Sequence, residues 1–505
     1  MKISDVLDPD VEVAPGDVVS FVDASRGEHV DVEMTPESLE VIHRFLDGQN
    51  LYLTGKAGTG KSTLTRLLQA IADFQGMSVA TTASTGIAAF EVDGVTLYRH
   101  FRMGVDLPTP EQIMQTPQVD EYGDEDRDWK KLALIHRQQT TRLLDVLFID
   151  EISMVRADLF DVVVAMLRRY GPDPEHPTGG VQIVAIGDLY QLPPVVRGGA
   201  EGKVFTAKGY DVQEPYFYAG HSYPEINMAT VELTKVFRQR DAGLVSLFNA
   251  VRAGRQDDEV MGALSGFVRT GFCIPDDEPW LILSGRNDTV REINQQRLNQ
   301  FAQHSELITY KPQITGEVRE KHPGRVELSL CEGAQVMLTR NHPHQAWVNG
   351  TIGTVVSLPD EDDPEGRVVI RTKKTRNGDG IIRVPRQIRG VYEYEAVDQS
   401  DGTQKLVRIQ VGSISQFPLV LAWAMTVHKS QGQTTDRLIL DTSGPMFANG
   451  MLYTALTRVT GPEGLVLTHT PRRSDIRTDE KVIAFMNTAG LNTAGPDTAE
   501  LDAAG

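Results

Sequence analysis

The sequence predicts an α/β protein with two parallel sheets that carry helices on both faces, and a small β-rich module inserted into the second. Three observations support this prediction. Short apolar strands alternate with helical stretches in the first half of the chain, the alternation resumes near residue 280, and a run of short β-like segments rich in Gly, Asp and Asn interrupts it. The chain has 505 residues, which is long enough for about three domains.

The changes of pattern along the chain predict its domain boundaries. The lead-in is acidic and is expected to be loosely ordered and partly disordered, whereas the tail is poor in bulky apolar residues and is predicted to be disordered. The predicted parts are the lead-in (1–33), a first α/β unit (34–240) with an accessory insertion (about 102–143), a second α/β unit (241–330 and 412–486), the inserted β-module (331–411) and the tail (487–505).

The individual elements follow from apolar runs and their flanking residues. The stretch TPESLEVIHRFLD (35–47) predicts a helix, and so do residues 241–256 and DTVREINQQRLNQ (288–300). The predicted strands are NLYLT, SVATTA, VLFID, VQIVAIG and ATVEL in the first unit, WLILS and DRLILD in the second, and QVMLT, GTVVSL, RVVIRT and KLVRIQ in the module.

Cysteine content and hydropathy limit the class of protein. Cys273 and Cys331 are the two cysteines, too few for a disulfide framework or a four-cysteine metal site, so a reducing compartment is expected. No apolar run approaches the roughly 20 residues that a membrane span requires, and the first residues lack the apolar stretch of a signal peptide. We therefore expect a cytoplasmic protein without a membrane segment, associated with the nucleoid if it is bacterial.

The net charge is −19 and is unevenly distributed. Such a charge argues against general attraction to polyanions, but binding along a groove depends on local charge. Acidic residues crowd 1–47, 120–128 and 359–365, whereas 366–390 holds eight basic residues against one acid. This basic stretch is predicted either to follow a nucleic-acid backbone or to be an ordinary solvated β-surface. Its basic residues are Arg367, Arg371, Lys373, Lys374, Arg376, Arg383, Arg386 and Arg389.

The stretch GKAGTGKST (55–63) matches the phosphate-binding loop pattern, with a predicted strand before it and a predicted helix after it. In such a loop the backbone N–H groups surround the phosphates, the lysine reaches the β- and γ-phosphates, and the hydroxyl after it ligates Mg²⁺. A chance Gly-rich turn is the weaker alternative. The predicted nucleotide-binding residues are Gly55, Ala57, Gly58, Thr59, Gly60, Lys61, Ser62 and Thr63.

A second requirement of such a site is a carboxylate at the end of another buried strand, and VLFIDEIS supplies two. Asp150 is expected to hold Mg²⁺ through water together with Ser62, and Glu151 is expected to orient the attacking water. A surface Asp-Glu pair on an ordinary strand is the alternative interpretation.

Two further candidates carry weaker signals. Gln191 of GDLYQLPPV could sense the γ-phosphate, although glutamine in a loop is usually just solvated. Arg238 of ELTKVFRQR could stabilise charge in the transition state of phosphoryl transfer, although a surface arginine at a helix start is the simpler alternative.

The order of these and later motifs resembles that of superfamily-one helicases, and the closest resemblance is to the PIF-type (petite integration frequency) family of RecD-related 5′→3′ DNA helicases. The resemblance covers about residues 34–470. It implies two RecA-like domains with ATP between them and an SH3-like inserted module. The motifs are GKAGTGKST, TTASTGIAA, FIDEISM, GDLYQLPPV, LTKVFRQ, WVNGTIGTV, WAMTVHKSQGQT and YTALTRV.

The resemblance implies further site residues in the second half of the chain. Gln431 and Gly432 would approach the nucleotide, and Arg458 would be a second arginine finger opposite Arg238. Paired fingers on two domains favour a motor, since a single-site switch needs no second RecA-like half. The implied DNA-contacting residues are Ser84, Thr85, Tyr98, Asn287, Trp347, Asn349, His428 and Lys429, with Tyr98 equally suited to a buried core.

The chain departs from the family pattern at three places. Ser38 stands where many such helicases have an adenine-recognising glutamine, which predicts weaker discrimination of ATP from other nucleotides. Tyr98 and Arg99 stand where the family usually has His-Ser. The acidic stretch DEYGDEDRD (120–128) is a long insertion, expected to be a solvated loop, with a lid or a partner site as alternatives.

The resemblance therefore predicts an ATP- and Mg²⁺-dependent DNA helicase that moves 5′→3′ on single-stranded DNA, unwinds forked duplex and acts in DNA repair, replication or recombination. RNA–DNA hybrids remain open as substrates, and protein partners are not predicted. Two alternatives stay open, a RecD-like subunit of a larger complex and a non-motor P-loop ATPase that switches binding to a protein partner. The polarity comes from the resemblance alone.

Overall fold

The computed structural model describes the chain in segments, and its helices and strands are numbered here in chain order. The described residues are 2–8, 11–23, 28–92, 94–104, 107–115, 129–239, 241–275, 278–318, 326–340, 347, 351–361, 363, 365–372, 380–398 and 404–489. The helices are α1 (Ile3–Leu7), α2 (Pro36–Leu46), α3 (Lys61–Phe74), α4 (Gly86–Glu91), α5 (Leu97–His100), α6 (Pro110–Met114), α7 (Trp129–Arg142), α8 (Ala157–Tyr170), α9 (Ala200–Ala207), α10 (Ala242–Arg252), α11 (Asp258–Ser265), α12 (Asn287–Ala302), α13 (Met451–Leu456) and α14 (Glu480–Thr488).

The strands fall into two parallel sheets and several antiparallel ones. They are β1 (Val18–Asp23), β2 (Glu28–Glu33), β3 (Leu51–Gly55), β4 (Val79–Ala83), β5 (Val95–Thr96), β6 (Val146–Asp150), β7 (Gln182–Ile186), β8 (Ala229–Leu233), β9 (Leu281–Ser284), β10 (Ile308–Tyr310), β11 (Gln313–Gly316), β12 (Leu328–Leu330), β13 (Gln335–Leu338), β14 (Ile352–Ser357), β15 (Arg367–Arg371), β16 (Ile381–Pro385), β17 (Gln387–Asp398), β18 (Gln404–Gln416), β19 (Leu419–Leu421), β20 (Ala424–Thr426), β21 (Leu438–Leu440) and β22 (Leu465–Leu467).

The first unit is a six-stranded parallel sheet in the order β5-β4-β6-β7-β3-β8. Its inner strands are apolar on both sides because helices cover both faces, and every residue of β3 and β7 is buried. The strand that leads into the phosphate-binding loop, β3, lies between β7 and β8. The carboxyl ends of these strands therefore meet at one edge of the sheet.

The lead-in differs from the loosely ordered segment that we expected. Strands β1 and β2 form an antiparallel hairpin in which Val19 pairs with Val32 and Phe21 with Val30. These four apolar side chains are buried in one cluster with residues of α3. The signal was present in the sequence as an apolar–polar alternation of period two, because that pattern gives a strand one buried face.

The second unit is a four-stranded parallel sheet in the order β20-β9-β21-β22. The predicted strands WLILS and DRLILD become β9 and β21, whereas β20 and β22 were not anticipated. Asn294 of α12 fastens that helix to β20, because its amide accepts from the backbone N–H of Ala424 at 2.9 Å and donates to the carbonyl of Ala424 at 2.8 Å.

The β-module consists of a five-stranded antiparallel sheet, β16-β15-β14-β13-β19, and a three-stranded sheet, β11-β18-β17. It is wider than the expected 331–411, since its strands begin at Gln313 and continue to Leu421. Strands β17 and β18 form a long hairpin that leaves the module and packs against α7 of the first unit. Among the described residues, no helix combines the length and apolar content that a bilayer crossing requires.

Candidate functional site

The phosphate-binding loop lies at the carboxyl edge of the first sheet, between β3 and α3. The backbone φ values of Gly55, Gly58 and Gly60 are +147°, +81° and +86°, which residues other than glycine rarely adopt. A Cβ on Gly55 would lie 2.6 Å from the carbonyl oxygen of Leu233, and one on Gly58 would lie 2.5 Å from Cβ of Arg238. The loop therefore needs glycine for its conformation and for its close approach to the segment after β8.

Lys61 begins α3 and folds its ammonium group back into the loop. Its Nζ donates to the carbonyl oxygens of Gly55 at 2.7 Å and Lys56 at 3.0 Å. Burial lowers the pKa of Lys61, and the negative charges of Asp188 and Glu151 oppose that shift. The ammonium group thus lies inside the loop, where burial opposes its charge and the two carboxylates partly compensate.

The two predicted acids follow β6. Asp150 ends the strand, and Glu151 has φ +50°, a left-handed conformation uncommon for a non-glycine residue. Burial and the neighbouring charge of Asp150 raise the pKa of Glu151 to about 7. The Nε2 of Gln431 donates to Oε2 of Glu151 at 2.9 Å. Glu151 is therefore positioned by a side chain from the second unit.

Asp188 is the centre of a buried network that the sequence analysis did not identify. It is 1% exposed, and its carboxylate accepts from Nη2 of Arg252 at 3.3 Å, from the hydroxyl of Tyr453 at 3.2 Å and from the backbone N–H of Tyr190 at 3.1 Å. Gln191 lies at the margin of this network, with Nε2 3.5 Å from Asp188. A buried carboxylate is destabilising unless paired, which explains why so many donors converge on it.

The two units meet directly at this site. The hydroxyl of Tyr453 accepts from the backbone N–H of Ala57 at 3.1 Å while it donates to Asp188, so α13 touches the phosphate-binding loop. Gln239, which follows β8, donates to the carbonyl oxygens of Thr457 at 3.3 Å and Val459 at 3.2 Å. The candidate site therefore lies between the units rather than within one.

The two predicted arginine fingers have different surroundings. Arg238 borders Gly58 of the loop, and burial lowers its pKa. Arg458 is 2% exposed and donates to backbone carbonyls of its own unit, at 3.3 Å to both Ser430 and Gln433 and at 2.9 Å to Thr454. Its positive charge favours the carboxylate form of Glu151. In this conformation Arg458 supports the turn that carries Gln431 and Gly432.

Two of the predicted strand-contacting residues, Asn287 and Lys429, are exposed, whereas Ser84, Thr85 and His428 are partly buried. Thr85 caps α4 by accepting from the backbone N–H of Ala88 at 3.2 Å, and Ser84 precedes it. Asn287 is exposed at the start of α12 and Lys429 is exposed after β20. His428 is half-buried, and its burial lowers its pKa, so the neutral imidazole is favoured.

The other predicted DNA-contacting residues are either withdrawn from the surface or lie outside the described residues. Trp347 is 5% exposed within the core of the β-module, so its ring is not available to a base. Tyr98 is half-buried against the core of the first unit, and burial raises its pKa. Asn349, the acidic stretch 120–128 and the basic residues Lys373, Lys374 and Arg376 lie outside the described residues.

The described basic residues of the module have two kinds of surroundings, contacts within the module and exposure to solvent. Arg386 is used within the module, where it donates to the carbonyl of Lys311 at 3.1 Å and lies 4.8 Å from the ring centroid of Phe417. Arg367, Arg371 and Arg383 are exposed on the five-stranded sheet.

Comparison with known proteins identifies the family to which this chain belongs. The family model for PIF1-like helicase matches residues 38–250. The rat ATP-dependent DNA helicase PIF1 is 33% identical to this chain over 492 residues, which cover 93% of this chain and 67% of the rat protein. The chain belongs to the PIF1-like helicase family. The human relative is 32% identical, with 93% and 66% covered, so the chain spans about two thirds of these relatives.

A bacterial member of the family, from Bdellovibrio bacteriovorus, is 28% identical over 90% of this chain and 92% of its own length. The crystal structure of Pif1 from Bacteroides sp in complex with ADP-AlF4 superimposes with a TM-score of 0.76 at 28% identity, covering 91% of this chain and 98% of that one. Bacteroides Pif1 bound to ssDNA matches with a TM-score of 0.59 and 29% identity, covering 91% of this chain and 97% of that one. The predicted family and the predicted fold class are confirmed.

Proposed function

We propose that this PIF1-like helicase couples ATP hydrolysis to 5′→3′ movement along single-stranded DNA and to unwinding of forked duplex. The single observation that carries the proposal is the direct contact of both units at one site, where Tyr453 reaches Ala57 and Asp188 and Gln431 reaches Glu151. The relatives are named ATP-dependent DNA helicases, Bacteroides Pif1 has been solved bound to ssDNA, and a further Pif1 structure is described as the basis for DNA unwinding at forked dsDNA. These names support DNA as the substrate.

The residues around the loop suit Mg²⁺-ATP. Ser62 is exposed on the first turn of α3 and Asp150 ends β6, so they supply the hydroxyl and carboxylate oxygens that Mg²⁺ prefers. When bound, the ion would neutralise charge on the β- and γ-phosphates. Lys61 would exchange its two carbonyl partners for phosphate oxygens, and the loop N–H groups from Gly55 to Thr63 would enclose them.

Glu151 is the proposed general base. With a pKa of about 7, a large fraction of this carboxyl is ionised at neutral pH and can accept a proton from the attacking water. Gln431 orients it, and Arg238 lies beside the loop, where it would stabilise charge on the transferred phosphoryl group. Gln191 and Gly432 would contact the phosphate end of the nucleotide. Arg458 would either hold the turn that carries Gln431 and Gly432, or leave its present backbone carbonyls and contact the phosphates as a second arginine finger.

The same contacts provide the proposed link to movement. Gln431 and Tyr453 belong to the second unit but touch groups of the first unit that surround the phosphates. Loss of the γ-phosphate would change these contacts and hence the separation of the two units. During this cycle the DNA strand would be held across both units by Ser84, Thr85, Asn287, His428 and Lys429. The protein would act in DNA repair, replication or recombination, at the nucleoid or in the cytoplasm.

Tailed duplexes test the proposal. Unwinding of a duplex with a 5′ single-stranded tail is compared with that of a 3′-tailed duplex, in ATP and Mg²⁺, with Lys61→Ala and Glu151→Gln as controls. We expect unwinding from the 5′ tail alone and its loss in both variants. Unwinding from the 3′ tail would contradict the polarity, and hydrolysis indifferent to DNA without unwinding of either substrate would favour a protein-binding switch.

A further inference from the structure

A pocket of about 240 Å³ opens beside the phosphate-binding loop, between the β1–β2 hairpin and the segment that follows β8. One wall is the beginning of α3, with Gly60, Thr63 and Leu64, and the opposite wall includes Val32 and Glu33 of β2. The pocket therefore lies next to the proposed phosphate site and is a candidate for holding the base of a bound nucleotide. It is lined in part by a hairpin that lies outside the region matched by the family model, which begins at residue 38.

Ser38, at the position of the missing glutamine, cannot recognise the base in this conformation. It is buried, and its hydroxyl accepts from the backbone N–H of Thr35 at 2.7 Å and donates to the carbonyl of Thr35 at 2.9 Å. These bonds belong to a capping box at the start of α2, in which the side chain of Thr35 also accepts from the N–H of Ser38. Because the hydroxyl is fully used by the cap, other groups must determine nucleobase preference.

Phe237 offers the pocket an apolar face. Its ring is 46% exposed, which is unusual for phenylalanine, while its backbone N–H donates to the carbonyl of Gly58 at 2.8 Å. The ring lies 3.7 Å from the position that a Cβ on Gly60 would occupy. An exposed aromatic ring that is fixed to the loop in this way is suited to stacking on a base.

Glu33 and Lys235 supply the polar groups. Nζ of Lys235 lies 2.6 Å from Oε1 of Glu33 and 5.2 Å from the ring centroid of Phe237, and all three residues line the pocket. A carboxylate beside an ammonium group presents an acceptor next to a donor. Adenine presents the complementary pair along one edge, the N6 amine and N7, whereas guanine presents two acceptors there, O6 and N7.

We infer that the Glu33–Lys235 pair recognises the edge of a nucleobase that lies against Phe237, so that the β1–β2 hairpin sets the preference for adenine in place of the missing glutamine. This inference rests on the proposed ATP site. The pair is half exposed, and such pairs contribute little to folding stability. Variants of it should therefore fold, and their effect should appear in nucleotide binding.

The test is equilibrium binding of fluorescent mant-ATP and mant-GTP to the full chain in Mg²⁺ without DNA. Replacing Glu33 with alanine should reduce the ATP-to-GTP affinity ratio by about fivefold, because one base-edge contact is lost at a partly exposed site. Phe237→Ala should weaken both nucleotides alike, by about tenfold, because stacking does not depend on the base.

Two controls separate base recognition from structural effects. Glu40→Ala removes a glutamate of similar exposure from the Arg44–Glu40 ion pair on the adjacent α2, and it should leave the ratio unchanged. Ser38→Ala removes the Ser38 half of the capping box and leaves the Thr35 cap in place, so it should lower the melting temperature without changing the ratio.

Equal ratios for Glu33→Ala and Glu40→Ala would overturn the inference, and so would a change of ratio in Ser38→Ala alone. If the variants show the expected ATP-to-GTP affinity ratios but DNA does not stimulate hydrolysis, the inferred base pocket is retained and the helicase proposal is rejected. Absence of mant-ATP binding to the natural chain would remove both.

Discussion

Two of the contacts that join the first half of the chain to the second are built in opposite ways. At the ATP cleft the joining groups are buried, with Asp188 and Tyr453 1% and 2% exposed. At the hairpin seam, defined here by Arg99, Arg102 and Glu393, the joining groups are partly exposed ion pairs. Glu393 of β17 accepts from Nη2 of Arg99 at 3.0 Å and from Arg102, with 14% of its side chain exposed.

The difference concerns how firmly each contact should be held, because it follows from how completely each is shielded from water. Buried charges must remain paired, so the network around Asp188 holds one arrangement firmly. The pairs of the hairpin seam keep some contact with water, so breaking them should cost less than breaking the network around Asp188. Arg99 stands at a position where the chain departs from its family, and its partner lies 294 positions later in the sequence.

The largest expected effect is at the cleft, from Glu151→Gln. Hydrolysis should fall by about 10² to 10⁴, because the general base is lost, while the affinity for mant-ATP changes little. Steady-state hydrolysis and equilibrium binding measure the two quantities. Glu175→Gln on an exposed loop is the matched control, and a comparable fall in that variant would mean that the assay reports folding rather than chemistry.

Asp188→Asn should be the most destabilising of these single changes. It leaves the buried guanidinium of Arg252 with Glu232, at 3.0 Å, as its remaining carboxylate partner. We expect the free energy of unfolding to fall by about 3 kcal/mol, as in other broken buried pairs. Denaturant titration measures the loss, and a change below about 1 kcal/mol would mean that the cleft is no more firmly joined than the seam.

The pH dependence of hydrolysis tests the environment of Glu151. The pKa of this acid is raised to about 7, so its protonated form persists to higher pH than usual, and kcat/KM should rise with pH until it levels off above that value. At pH 6 the ionised fraction, and hence kcat/KM, should be about tenfold below the plateau.

Gln431→Ala provides the internal control for this profile. The amide of Gln431 favours the carboxylate form of Glu151, so its removal should move the rising limb to higher pH. A profile that is flat from pH 5 to 9 in the natural chain would argue against Glu151 as the titrating base.

The smallest expected effect is at the hairpin seam. Glu393→Gln removes the shared acid of two ion pairs and should change the free energy of unfolding by less than about 1 kcal/mol, with hydrolysis in the absence of DNA unchanged. High salt should reduce any difference between the variant and the natural chain. A loss as large as that of Asp188→Asn would show that the seam is as firmly joined as the cleft.

Local patterns were enough to predict many of the elements and to select the residues that we propose for the ATP site. Five strands of the first parallel sheet, two strands of the second, the loop from Gly55 to Thr63 and the acids after β6 follow from apolar runs and glycine spacing, since these depend on neighbouring residues. The β1–β2 hairpin also carries a local pattern, the alternation of apolar and polar residues along each strand. Asp188 and Tyr453 lay within motifs that were noted, yet their pairing could not be inferred because they are 265 positions apart.

The sequence by itself determined the family, the fold class and the phosphate-binding loop, because each depends on residues adjacent in the chain. Tertiary structure alone decided that Tyr453 bridges the loop and Asp188, that Trp347 lies in a core, and that Ser38 is committed to a helix cap. It also placed Glu33 beside Lys235. The physical reason is that hydrogen bonds and burial depend on distance in space, and folding brings together groups whose separation along the chain carries no signal.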